Sequence, residues 1–162
     1  AAAAAQRDIF CVYHETEELR LRAKVDEFEI ATRAAGHDWD VFDLTDSFPN
    51  WLASQRYAKS YFQKPNLLST LLPKYLSYIE AEFEAFLQDK NVGEEFVVAL
   101  QGVGTLFGFL KVKEVVDKLA PKVKGRLLVF FPGSYEDNNY RLLDGYDGWN
   151  YLAVPITADK EF

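Results

Sequence analysis

The chain has 162 residues, 49% of them hydrophobic and 15% aromatic, which suits one domain around one core and excludes a disordered tail. Its formal net charge of −7 excludes a surface that is basic throughout, so direct nucleic-acid binding is not expected of the whole molecule. One cysteine and two histidines exclude a disulfide framework, a cysteine-based zinc site and a metal site closed by histidines alone.

Residues 1–7 open on five alanines and are read as a tag remnant or a disordered N-terminus, with a single α/β domain expected over 8–162. IFCVYH at 9–14 is short, apolar and rich in β-formers, which predicts a buried strand. Thr16 is placed to cap a helix with Glu17 and Glu18 in its first turn, running to about Ala35 and stopping at Gly36. Leu21, Val25 and Phe28 share one face of it. WDVFDL at 39–44 alternates apolar and acidic residues, which predicts a half-exposed strand near a sheet edge.

Pro49 to Lys64 is helical in pattern but irregular, and Pro65 breaks it. Over 67–89, Leu68, Leu72, Tyr75, Ile79, Phe83 and Phe86 recur at spacings of three and four, the clearest amphipathic helix of the chain. FVVAL at 96–100 is wholly apolar, as at the centre of a parallel sheet covered on both faces. QGVGT follows, then a helix expected from about Leu106 to Leu119, then a second buried strand, RLLVFF at 126–131. Turn-rich segments flank a short strand near 140–143, and a last strand is expected near 150–156. This alternation predicts a three-layer α/β sandwich: a mostly parallel central sheet of about five or six strands, with a terminal antiparallel strand pair.

Candidate chemistry is sparse. Gly102 and Gly104 stand at a strand-to-helix junction, where backbone amides can approach an anion, but no lysine completes a P-loop and position 107 is Phe107 rather than a third glycine. A tight packing turn is the plainer reading, and a degenerate nucleotide- or phosphate-binding module is the alternative. Ser134 lies outside a nucleophile elbow and no histidine follows it, which argues against a serine hydrolase. Asp40, Asp43 and Asp46, and the later Glu136, Asp137, Asp144 and Asp147, read as a solvated rim, with a Mg²⁺ site as the sharper reading. Cys11 and His14 are three apart on a strand and point to opposite faces.

From Lys111 to Arg126 six basic residues, Lys118 and Lys122 among them, stand against two acidic ones. They make either the exposed side of a helix or a contact for an acidic partner or a nucleic-acid backbone. Tyr135, Tyr140, Tyr146, Trp149 and Tyr151 are dense for a turn-rich region and either close the core or form a protein interface. No catalytic set is complete, so the reading is a protein that is not an enzyme, binds no cofactor and acts through protein contacts. Lys118, Lys122, Tyr135, Tyr146 and Trp149 are its candidate contact residues. No run approaches the roughly 18 apolar residues of a membrane helix, and the lone cysteine fits a cytoplasmic location.

Taken together, VVALQGVGTLFGFLKVKEVVDKL and LLVFFPGSYEDNNYRLLDGYDGWNYLAVPI resemble the BrxB family of BREX phage-defence operons. The resemblance rests on Gly102, Val103 and Gly104 in a GVG turn, and on Phe109 and Leu110 in the aromatic-bearing helix expected after it. Phe131, Pro132, Gly133 and Tyr135 match an F-x-P-G-x-Y-like motif, and Asn150 and Tyr151 match an aromatic strand. Glu18, Leu19 and Arg22 fit the family's early E-L-x-x-R run. The early strand departs from the family by leading into VYHETE rather than a proline-containing D-Y-P-P, and Trp149 and Leu152 differ from its usual aromatic set. The resemblance implies a small cytoplasmic assembly or adaptor subunit. Its expected partners are a PglZ phosphatase-like protein and a BrxC-like ATPase, encoded beside a PglX methyltransferase, and it carries over no catalytic residues.

Overall fold

The computed structural model describes residues 8–55, 68–136, 139–143, 145–149 and 154–157. The strands are β1 (Asp8–Tyr13), β2 (Asp38–Asp43), β3 (Phe96–Gln101), β4 (Arg126–Glu136), β5 (Asn139–Leu142), β6 (Gly145–Trp149) and β7 (Val154–Thr157). The helices are α1 (Glu18–Ala34), α2 (Ser47–Ser54), α3 (Leu68–Asp89) and α4 (Val112–Leu119). The sheet runs β2-β3-β4-β1-β7, and each neighbouring pair in it is parallel.

Alternation along the strands divides the interior in two. Phe10 and Val12 of β1, Val98 and Leu100 of β3, and Leu127, Val129 and Phe131 of β4 face α2, α3 and α4. Cys11 and Tyr13, Ala99, and Leu128 and Phe130 face α1 through Leu21, with Val25 and Phe28 packed alongside. The chain path explains this split. From β1 it crosses two strands to reach β2 at the edge, then returns one strand at a time through β3 to β4. Connections of one hand running in opposite directions lie on opposite faces, so among the described residues α1 covers one side and α2, α3 and α4 the other. The result is the expected three-layer α/β sandwich with a mostly parallel sheet, and α1 presents the expected Leu21, Val25 and Phe28 face.

Four details differ from the sequence reading. Thr16 does not cap α1. The His14 side chain instead accepts from the Thr16 amide and caps a 3-10 turn at Glu15–Glu17, after which α1 begins without a side-chain cap. The helix expected from Leu106 starts only at Val112, preceded by a 3-10 turn at Val103–Leu106 and by Gly108 at φ 85°. The helical pattern from Pro49 survives as α2, and its remainder over 56–67 lies outside the described residues. DGYDG, read as turn, contributes β6, which pairs antiparallel with β5, so the antiparallel pairing runs through β4, β5 and β6 while the last strand, β7, runs parallel to β1.

β4 links the two parts of the sheet. Its first half lies parallel to β1 and β3, and from Gly133 to Glu136 it turns antiparallel to β5. Gly133 permits the change, because a Cβ there would stand 1.8 Å from the Arg141 carbonyl oxygen. No helix among the described residues is long and apolar enough to cross a membrane.

Candidate functional site

In open α/β sheets ligands bind beyond the carboxyl ends of the strands, where successive connections part to opposite faces. Here that place lies where β1, heading into α1, meets the ends of β3 and β4. A cavity of about 200 Å³ opens there, lined by Glu15, Glu18, Arg22, Gly102, Thr105 and Pro132 among others. Tyr13 closes β1 and donates its hydroxyl to the Glu18 carboxylate. One turn along α1, the Arg22 Nε donates to Glu18 Oε1 at 3.0 Å, an i,i+4 pair.

Arg22 also reaches across to the end of β2. Its Nη2 donates to Thr45 Oγ1 at 2.8 Å, and its Nη1 stands 3.8 Å from Asp43 Oδ2. Asp43 holds the turn after β2, with Oδ1 accepting from the Thr45 amide at 2.9 Å and the Thr45 hydroxyl at 2.6 Å. From β3, Thr105 Oγ1 lies 2.8 Å from the Gly102 carbonyl oxygen and 3.2 Å from that of Leu44. The rim is thus a polar network joining α1 to the ends of β1 and β2, with Thr105, just after β3, bonded to the backbone of the same turn at Leu44.

Its electrostatics are acidic. Glu18 and Asp43 flank the Arg22 guanidinium, and Glu15 lines the same cavity. Burial, the hydrogen bond to Glu18 and that carboxylate's charge all push the Tyr13 phenol well above its ordinary value, while Arg22 opposes them. The phenol therefore stays protonated, serving as a donor and not as a base. A net-negative cavity does not suit a phosphate chain.

The GVG turn is shaped by its neighbours. Gly102 adopts φ 79°, and a Cβ on it would stand 2.6 Å from the Thr45 nitrogen and 2.7 Å from Asp43 Oδ1. A Cβ on Gly104 would meet Pro132 Cγ at 3.3 Å, so the GVG and F-P-G-x-Y motifs touch in space. Because the turn leads into a 3-10 turn, no α-helix N-terminus faces the glycines, which removes the geometry expected of a phosphate loop.

The other motif positions mostly serve packing. Val103, Leu110 and Phe131 are buried. Phe109 lies in the segment before α4 and stacks on Phe48 of α2, with ring centroids 4.3 Å apart. Tyr140 is fully buried between Phe10 and Phe131, and Tyr135 packs on it at 4.7 Å, so this part of the aromatic cluster closes the core. Tyr146 and Trp149 lie on β6, while Asn150 and Tyr151 fall outside the described residues.

The basic stretch divides. Lys118 is exposed on the outer side of α4, whereas Lys122 lies beyond the helix and binds Glu80 at 3.1 Å and Glu84 at 2.5 Å on α3. Those bonds, the one to Glu84 foremost, raise the Lys122 pKa. Asp40 pairs with Lys90 at 3.3 Å, and no group of three potential metal ligands occurs among the described residues. Asp137 and Asp144 fall outside them. Sequence reasoning missed Tyr13, Thr45 and Thr105 as members of the rim network. The Glu18–Arg22 spacing was its one visible signal, and the partners across the sheet come from three other strand ends.

The family model described as BREX protein BrxB matches residues 46–155, from α2 to the end of the sheet. No curated protein and no solved structure matches the chain significantly. With more than half its length matched, and with the GVG and F-P-G-x-Y motifs in mutual contact, the chain belongs to the BrxB family of BREX phage-defence proteins.

Proposed function

We propose that this protein is a non-catalytic assembly or adaptor subunit of a BREX-type phage-defence complex, acting inside the cell through protein–protein contacts. One observation carries the reading. The glycines of its signature motifs are turned inward, Gly102 against Thr45, Gly104 against Pro132 and Gly133 against Arg141, so the motifs maintain a shape. The rim supports it too, with a guanidinium balanced by carboxylates and a phenol held protonated rather than an acid and base poised near neutrality. The expected partners are a PglZ phosphatase-like protein and a BrxC-like ATPase. Co-expression with each, followed by size-exclusion chromatography, tests the proposal. Stable co-elution is expected, and a protein that runs alone at every salt concentration overturns it.

The position of the cavity at the carboxyl ends of the strands favours a second reading, a small-ligand module. Calorimetric titration with nucleotides and Mg²⁺ separates the two. Saturable heat at millimolar ligand supports a nucleotide-binding module, and a silent titration removes that form of the reading.

A further inference from the structure

α1 carries two large apolar side chains in solvent, Leu19 at 83% exposure and Ile30 at 68%. Eleven residues turn an α-helix through about three full turns, so both lie on one line roughly 16 Å long. This line runs on the side of α1 away from Leu21, Val25 and Phe28, which cover the sheet. Ala23 and Asp26, both exposed, fall between them on the same line. The positions 19, 23, 26 and 30 are spaced four, three and four, the seam of a helix that packs on another helix. Asp26 occupies one seam position, with exposed Glu27 beside it. Among the described residues the ion pairs of α1 join Arg20 to Glu17, Arg22 to Glu18 and Asp43, and Arg33, three residues beyond Ile30 on the same line, to Glu29 and Asp38, and they leave Asp26 and Glu27 aside.

We infer that the outer face of α1 docks an amphipathic helix of a partner protein, with apolar residues against Leu19, Ala23 and Ile30 and a lysine or arginine against Asp26 and Glu27. The inference deepens the adaptor reading and rests on it. The seam spacing calls for a helix, and a single polar position within a seam fixes register. The charge selects among occupants. A second copy of α1, laid either way, brings Asp26 and Glu27 of both chains within about one turn of each other, in a molecule whose net charge is already −7. An anionic lipid surface needs basic residues beside the apolar face, but Arg20, Arg22 and Arg33 of α1 are each paired with a carboxylate of this chain, and the charges at Asp26 and Glu27 repel it. A partner's basic residue is the complement that remains.

The test places a benzoylphenylalanine crosslinker at Ala23 of the full chain, in cells expressing it with the other proteins of its defence operon. The crosslinked peptide is then identified by mass spectrometry. A segment of another protein is expected, with apolar residues at spacings of three and four around a lysine or arginine. Ile30→Asp lowers the yield at least about tenfold with an unchanged thermal midpoint, because position 30 is exposed. The pair Asp26→Lys and Glu27→Lys does the same, and changing the partner's basic residue to Glu restores the crosslink. Crosslinks only to a second copy, only to lipid, or no stronger than from a control site at exposed Glu94 overturn the inference. Wild type and Ile30→Asp co-eluting equally with an operon protein overturns this surface and leaves the adaptor reading standing. Wild type that neither crosslinks nor co-elutes ends both.

Discussion

Gly102 and Thr45 approach so closely that the end of β3 has no room for a side chain, a Cβ at Gly102 falling 2.6 Å from both the Thr45 nitrogen and its Oγ1. The approach locks the GVG turn onto the turn after β2. Gly102→Ala therefore combines a left-handed backbone with a clash against main-chain atoms, and costs about 2–4 kcal/mol of stability. Gly104→Ala meets only the edge of the Pro132 ring at 3.3 Å and changes stability by about 1 kcal/mol or less. Urea unfolding of the two variants checks the contrast. Equal, small losses would show that Thr45 does not hold the turn.

The two glycines also mark how far the sequence could be read. Elements with a strong internal pattern were legible: Tyr75, Ile79 and Phe83 announce the buried face of α3, and the apolar runs of β1, β3 and β4 announce the centre of the sheet. Features set by a distant neighbour were not. Residues 106–111 carry helix-compatible residues, yet Gly108 at φ 85° and extended Lys111 delay α4 to Val112. Gly145, read as turn, is a strand residue whose missing side chain leaves room for the Phe107 ring. The rim was half legible. The four-residue spacing of Glu18 and Arg22 is visible in the chain, but the Arg22 contact to Thr45 spans 23 residues and exists only once β1 and β2 are in one sheet.

Arg22 makes that contact with a side chain about one-third exposed, so water screens part of its value. Arg22→Ala should cost about 1 kcal/mol, and Thr45→Val a similar amount, since the hydroxyl both accepts from Arg22 and donates to Asp43. In a double-mutant cycle the two should couple by about 0.5–1 kcal/mol, less at high salt. Strict additivity would show that the network is a set of independent surface pairs.

Phe109 tests the segment before α4 in the same way. Its ring stacks on Phe48 at 4.3 Å and an interplanar angle of 18°, and Phe48 in turn meets Trp51 and Tyr75. Phe109→Ala should cost about 2 kcal/mol, less than a fully buried phenylalanine because the side chain is half-buried. Phe109→Leu should recover part of the loss, and a cycle with Phe48→Leu should show coupling of about 0.5–1.5 kcal/mol. If Phe109→Ala leaves the unfolding midpoint unchanged, the segment does not anchor α2.

Three core tyrosines link stability to alkaline pH. Burial raises the phenol pKa of Tyr13, Tyr75 and Tyr140 above the ordinary 10.0, and Tyr13 is raised further by Glu18. A group whose folded pKa is raised keeps its proton in the native state while the unfolded chain releases it. The stabilisation is therefore complete below about pH 10 and lost as pH climbs from there toward the folded values. Lys122, held by Glu84 and Glu80, acts with the same sign. The urea midpoint should be nearly flat from about pH 8 to about pH 9 and fall steeply by about pH 11. Each fully engaged tyrosine contributes a slope of up to about 1.4 kcal/mol per pH unit. Tyr13→Phe should remove one such contribution, giving a protein less stable at neutral pH, through loss of the Glu18 bond, yet less sensitive to alkali. Tyr140→Phe should flatten the same slope without touching the rim. If both variants keep the wild-type slope, the alkaline loss comes from groups other than these phenols.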